Sequence, residues 1–511
     1  MTGSGSEAPA DLRWPPPTRT SRVRGKPFAV VDIGSNSVRL VIYESFSRTP
    51  AVVHNEKAIC AIGRDMVTRR RLHDEGMRLA LDSLSRFRIL AEAHHVELRD
   101  AVATAAARDA SNGQEFVRRA EVAWGGPIRI LSGEEEARLA AQGVLAGIPS
   151  ADGLVADLGG GSLDMVTLKA GQTGQALTLP FGPLRLIDAA KGERERARDI
   201  VEEGLGAAKQ LGNLKGRSLY AVGGVWRSFA LVDIEEQNYP LHVLHNYSIP
   251  GERAIKLSRV VARLSRKSFE RMRIVSRRRA EALPFGAIVL EELLAATGLS
   301  TVVISAYGLR EGLLHAQLST EERAKDPLTA YAAATNARIS RTPQHAHEMF
   351  DWQAPLFPDE SEEQKRLRLA VCLFSDMGWR RHPDDRALGT FSQVLTAPFA
   401  GADHRTRALI ATAIFHRYSG DEDFPREFGL GGLLDAEDSA LARRIGVAAR
   451  LAFALSASAT GELANYGLRL SPSRVVLEVP RRRAMIAGEP AQKRLSAIAS
   501  LLSRKGDILV V

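Results

Sequence analysis

The 511 residues contain only two cysteines, Cys60 and Cys372, far apart and outside any paired motif. That scarcity excludes a disulfide framework and a cysteine-ligated metal centre, and both thiols read as reduced, partly buried bystanders. Long apolar runs are missing as well. None approaches the ~18–20 residues that a membrane span needs, and the opening stretch MTGSGSEAPADLRWPPPTRTSRVRGK lacks the apolar segment of a secretory signal. The expected setting is therefore cytoplasmic, with no membrane partner. No zinc-finger spacing or ribonucleoprotein aromatic signature is found, so nucleic acid is not an expected partner. No short-period repeat is visible either.

What the chain has is length and positive charge. Its 511 residues allow about three domains with ample core. The net charge is +9 and the sequence pI about 9.6, which is compatible with a polyanionic partner. Basic clusters stand at Arg69-Arg70-Arg71, Arg277-Arg278-Arg279 and Arg481-Arg482-Arg483; each is also readable as a solvated face. Residues 1–26, rich in Pro, Gly, Ser and Arg, read as a disordered basic arm. An α/β unit is expected over 27–142 and a second over 143–320. The stretch STEERAKDPLTAYAAATNAR reads as a linker, followed over 325–511 by a mostly helical domain ending in two strand-like pieces around a helix.

Two glycine-rich acidic loops, each inside a run of apolar strand residues, carry the chemistry. The first is FAVVDIGSNSVRLVIYES, with Asp32 and Gly34-Ser35-Asn36-Ser37. The second is GLVADLGGGSLDMVTL, with Asp157 and Gly159-Gly160-Gly161-Ser162. Each reads strand, tight turn, strand. Glycines let backbone N–H groups approach an anion, Ser and Asn add donors, and the Asp can hold a metal. Two such loops suggest a phosphate gripped between two similar half-domains. An Asx-turn over the next glycine explains either Asp alone, but less easily both. Gly223-Gly224 in LYAVGGVWRS is a third strand-to-glycine turn, for which a simple tight turn is the plainer reading.

In SGEEEAR, Ser132 and Glu135 fit a capping box and Glu134 pairs with Arg138 at i,i+4. Glu136 is aligned by helical spacing with Ala140, Gly143 and Val144, at the edge of a packed face. Partial burial there would raise its pKa towards that of a general base. On the residues alone the helix dipole is the plainer reason for an acid in a first turn.

The motifs DIGSNS, ATAAARDASN, SGEEEAR, DLGGGS, AVGGVW, RRRAEALPFG and YGLREGLL run in order from about residue 27 to 318. Together they closely resemble the exopolyphosphatase and guanosine pentaphosphate phosphohydrolase family, within the actin-like ATPase superfamily. The resemblance implies two ribonuclease-H-like α/β domains and, as in the family's long form, a helical third domain similar to His-Asp phosphohydrolases. It implies Glu136 as catalytic base and Asp32, Asp157 and Asp164 around Mg²⁺, with K⁺ as a monovalent activator. It also implies Arg108 as a phosphate clamp, with a weaker role for Asn112, and Trp226 and Arg227 filling the third pocket or stacking on a base. A homodimer is expected by the same resemblance. The implied activity is release of terminal orthophosphate from inorganic polyphosphate; guanosine pentaphosphate is the alternative substrate. A non-catalytic sensor is disfavoured by the acid types at Glu136, Asp157 and Asp164. A kinase is disfavoured because only the Gly223-Gly224 turn speaks for an adenosine site. In the C-terminal region the His-Asp pair is replaced by Ser375-Asp376, which argues against a second metal centre.

Overall fold

In this computed structural model, residues 26–511 are described except 65, 273, 277–278 and 420–429. The expected basic arm, apart from Lys26, and Arg277-Arg278 of one basic cluster lie outside the described residues.

The first sheet joins β1 (Phe28–Ile33), β2 (Ser37–Tyr43), β3 (Val52–Ile59), β4 (Leu98–Ala103) and β5 (Arg129–Ile130) in the order β3-β2-β1-β4-β5. β1 is almost continuously buried, as a central strand covered on both faces should be. The edge strand β3 alternates half-buried and exposed residues. The second sheet contains β6 (Gly153–Leu158), β7 (Leu163–Lys169), β8 (Gln172–Leu179), β9 (Ser218–Val222), β10 (Ser248–Pro250) and β11 (Thr301–Ile304), in the order β10-β11-β9-β6-β7-β8. Both sheets repeat one plan, an antiparallel three-strand meander whose first strand pairs in parallel with a later one: β1 with β4, and β6 with β9.

The glycine loops are the β1–β2 and β6–β7 turns, and they close identically. Gly34 N–H donates to Ser37 O at 3.0 Å, and Gly159 N–H donates to Ser162 O at 3.0 Å.

The helix Gly133–Gly147 begins with the expected capping box, in which Ser132 and Glu135 satisfy each other's backbone amides. It packs on β6, β7 and β8 and against the helix Leu309–Gln317, which in turn touches β1. A division at 142–143 therefore falls inside a helix, one that belongs by packing to the second sheet. The two helices cross at glycines: a Cβ on Gly312 would lie 1.8 Å from Leu139 O, and one on Gly143 2.1 Å from Gly308 O.

The stretch read as a linker is instead helical. Ser319 caps Thr320–Ala324, and Asp326 with Pro327 opens Pro327–Ile339. Its first residues carry cap chemistry, which reads as loop when only composition is weighed. Beyond it, helices including Glu362–Phe374, His404–Tyr418 and Ala436–Ser456 build a separate core. That core also packs with a small sheet of β12 (Gly467–Leu470), β13 (Arg474–Val479) and β14 (Lys505–Val510), whose last two strands were expected and whose first was not.

Candidate active site between the two sheets

Both glycine loops and the turn after β9 open onto one cavity of about 530 Å³. Its lining includes Asp32, Gly34, Ser35, Asn36 and Ser37 from the first loop, and Asp157, Gly159, Gly160, Gly161, Ser162 and Asp164 from the second. Gly223 and Gly224 also line it. Gly223 has φ +114°, and a Cβ there would lie 2.5 Å from Leu158 O. Only glycine fits that turn.

Strand register explains why the two loops differ electrically. Asp32 on β1 stands opposite Arg39 on β2, whereas the equivalent Asp157 on β6 stands opposite Asp164 on β7. Like charges placed opposite each other repel. Burial, then Asp164, then Asp32 push Asp157 up to about 7. Asp32 is raised by burial, opposed by Arg310 and Arg39; Arg310 Nε lies 3.8 Å from it. Asp164 is held in place by hydroxyls: Ser162 Oγ donates at 2.6 Å and Thr178 Oγ1 at 2.9 Å.

Glu136 joins this cavity from the first turn of the helix Gly133–Gly147. Burial and the charges of Asp164 and Asp157 hold its carboxyl well above the usual range, while Arg108 pulls it down. Such an acid is a stronger base than a solvated glutamate once ionised.

Three of the expected residues are held by protein groups. Arg108 Nη1 donates to Glu136 Oε2 at 3.1 Å and Leu131 O at 2.8 Å, and its Nε lies 3.3 Å from Asp109. Asn112 is buried and pinned to Leu72, whose N–H it accepts at 2.8 Å. Trp226 is core, fully buried and donating Nε1–H to Gly286 O at 3.0 Å; only its neighbour Arg227 reaches the cavity.

Five cations line the same space: Arg39, Lys57, Arg227, Arg279 and Arg310. Burial and mutual repulsion lower Lys57 and bring Arg227 down to about 10. Sequence reasoning named Arg279 only within a basic run and Arg227 only beside its turn. Arg310 stood unremarked inside YGLREGLL. Arg39 follows the first loop at the position where Asp164 follows the second, a signal the duplicated pattern contained. Lys57 lies in no motif.

The three aspartates share the cavity, yet among the described residues no three His, Cys, Asp or Glu side chains converge to hold a metal ion. A closed carboxylate nest does not fit. An open site does, with one or two carboxylates and the remaining positions taken by phosphate oxygens and water, as Mg²⁺ is commonly held.

Residues 27–321 match the Ppx/GppA phosphatase family, and residues 330–509 match the exopolyphosphatase C-terminal region. The chain belongs to the Ppx/GppA phosphatase family. Its curated relatives include retrograde regulation protein 2 of Saccharomyces cerevisiae, 26% identical over 79% of this chain and 74% of the relative. Among solved structures, an exopolyphosphatase from Cytophaga hutchinsonii is 24% identical with a TM-score of 0.52, covering 57% of this chain and 97% of that one. The Aquifex aeolicus PPX-GPPA enzyme is also 24% identical, with a TM-score of 0.49, covering 57% and 98%. The likeness to the Cytophaga hutchinsonii structure is one of fold, and the helical region of this chain is the part matched by the exopolyphosphatase C-terminal model.

In that helical region, too, no three His, Cys, Asp or Glu side chains converge among the described residues. Asp376 is instead taken by Arg341, whose Nη2 lies 2.6 Å away, and by Ser340 Oγ at 3.2 Å. Ser375 Oγ donates back to Val371 O at 2.7 Å.

Proposed function

We propose that this family member is an exopolyphosphatase, releasing terminal orthophosphate from inorganic polyphosphate. The observation that carries the reading is the opposition, in one cavity, of a half-buried basic carboxylate at Glu136 and five cations able to hold successive phosphates. A polymer is favoured because a second cavity of about 390 Å³ shares Ser35, Gly160 and Gly161 with the first and continues past Arg70 and Arg185.

In this reading the backbone amides of both loops and the cation wall orient the terminal phosphoryl group and neutralise charge on its equatorial oxygens. Ionised Glu136 accepts a proton from a water as the water oxygen bonds to the terminal phosphorus and the bridging P–O bond breaks. The products are orthophosphate and a chain one phosphate shorter. Arg108 orients Glu136 and opposes the upward shift of its carboxyl, favouring the ionised form. Asp157, with Asp32 or Asp164 as second ligand, would hold a divalent cation, which supplies Lewis-acid charge neutralisation when bound. Its removal by a chelator is expected to stop turnover.

Orthophosphate release from long polyphosphate and from guanosine pentaphosphate, compared as kcat/KM on one preparation, tests the reading. Polyphosphate should be the better substrate. The reverse ranking assigns the alarmone reaction, and release from neither would leave the non-catalytic sensor.

A further inference from the structure

The second sheet ends at β8, the edge strand next to β7, which carries Asp164. Nothing in the motifs of the sequence falls on β8. Strand register nevertheless sets Thr178 of β8 directly opposite Asp164. Asp164 is only 2% exposed although a single strand separates it from the sheet edge, and Thr178, itself exposed, lies over it on that side. Both carboxylate oxygens of Asp164 are engaged by hydroxyls. Ser162 Oγ donates to Oδ2 at 2.6 Å, and Thr178 Oγ1 donates to Oδ1 at 2.9 Å.

The other side of Thr178 meets the helix that carries Glu136. A Cβ on Gly133 would lie 2.1 Å from Thr178 Oγ1 and 2.8 Å from its Cβ and Cγ2. Gly133 is the first residue of the helix Gly133–Gly147, and Glu136 belongs to the same first turn. Thr178 is therefore wedged between the start of that helix and Asp164. A second tie joins the same two elements. Arg138 Nη1 donates to Thr173 Oγ1 on β8 at 3.0 Å, while its Nε and Nη2 hold Glu134 at 3.0 and 2.7 Å.

Glu136, Asp157 and Asp164 line one cavity, with Asp157 and Asp164 facing each other across the strand pair. Such carboxylates repel, and an aspartate held by one hydrogen bond relieves that repulsion by pivoting about it. A donor on each oxygen removes the pivot, and the second donor is Thr178. We propose that Thr178 is a positioning residue of the catalytic cavity: its hydroxyl fixes the Asp164 carboxylate, and its side chain sets where the helix bearing Glu136 begins. Turnover depends steeply on the placement of reacting groups, whereas phosphate binding falls to the glycine loops and the cation wall. The inference rests on the reading of Glu136 as the base.

Thr178→Val keeps the branched shape that suits a strand and deletes the donor. In the full chain, kcat for orthophosphate release from long polyphosphate should fall by about tenfold or more, with KM within about twofold of the parent. Thr178→Ser keeps the hydroxyl and should recover kcat to within about threefold of the parent. Gly133→Ala pushes the threonine off Asp164 from the helix side, so it too should lower kcat at an unchanged KM; it serves if Thr178→Val does not fold. Parent-like kcat in Thr178→Val and Gly133→Ala, equal losses in the serine and valine variants, or losses carried by KM would each overturn the proposal. Normal turnover in Glu136→Gln would instead overturn the reading of the base, whereas lost turnover there beside parent-like kcat in Thr178→Val would overturn this inference alone.

Discussion

At the scale of single residues, the site is defined by charges placed where burial makes them costly. Arg108 lowers the Glu136 pKa, so removing it should drive that carboxyl further up. Glu136 must be ionised to accept a proton, so the ascending limb of kcat/KM against pH should move to higher pH in Arg108→Ala. An unmoved limb with a raised KM would return Arg108 to the clamp role suggested by sequence. Asp157 makes a different prediction. Its pKa is about 7 when folded against a reference value of 3.8, so the folded state binds the proton more tightly across that window. Stability is then lost as pH rises from about 4 to about 7. Asp157→Asn should remove the loss, melting above the parent at about pH 8 and close to it at about pH 4, while phosphate release falls. Equal melting at both pH values would mean that Asp157 is not strained. Asp32, Asp157 and Glu136 were legible because each sits in a motif with a chemical reason for its residue type. The cation wall was mostly not, because Lys57, Arg227, Arg279 and Arg310 come from four separate segments that only the folded chain brings together.

At the scale of elements, the two loops were readable as strand–turn–strand because glycine and polar residues interrupt continuous apolar runs. The exchange of Arg39 for Asp164 was already present in the duplicated pattern, seven residues after Asp32 and Asp157, but that each faces its aspartate across the strand pair came from register. The helix crossing was invisible for the same reason: Gly143 and Gly312 look like ordinary helical glycines until Leu139 O and Gly308 O are found against them. Gly312→Ala must push the two helices apart, and we expect it to cost about 1–3 kcal/mol by thermal or urea unfolding. It should also displace Arg310 and raise KM. A stability equal to the parent would mean that the crossing is slacker than described.

At the scale of the whole molecule, the C-terminal region is joined to the second sheet by buried polar contacts. His404 bonds Tyr239 Oη at 2.9 Å and His245 O at 3.2 Å; Asn246 Nδ2 donates to Ala402 O at 3.1 Å, and Gly401 N–H to Gly147 O at 2.8 Å. Leu241 lies in the C-terminal core itself. Among the described residues no helix is long and apolar enough to cross a membrane. Burial brings both His245 and His404 down to about 4, from 6.5. The unfolded chain then binds more protons than the folded one between those values, so the joint should be firm above about pH 6.5 and weaken as pH falls towards 4. Hydrogen exchange of residues 239–247 and 400–407 should accelerate selectively in that range, and uniform protection would contradict this. Removing residues 325–511 would expose this joint, so the region is not the detachable module that its separate helical pattern suggests. That the fold has a helical third part was legible from periodicity; how tightly it is bound was not, because the contacting residues fall in loops of both partners.

The central claim is that Glu136 is the base that activates water in a cavity otherwise built to hold phosphate. Glu136→Gln keeps the size and hydrogen-bonding capacity of the side chain and removes the charge. Orthophosphate release from long polyphosphate should fall by ~10²–10⁴ in kcat, with polyphosphate binding by the same preparation largely retained. Near-normal turnover in that variant would contradict the claim and return Glu136 to the helix-dipole role that its first-turn position alone explains.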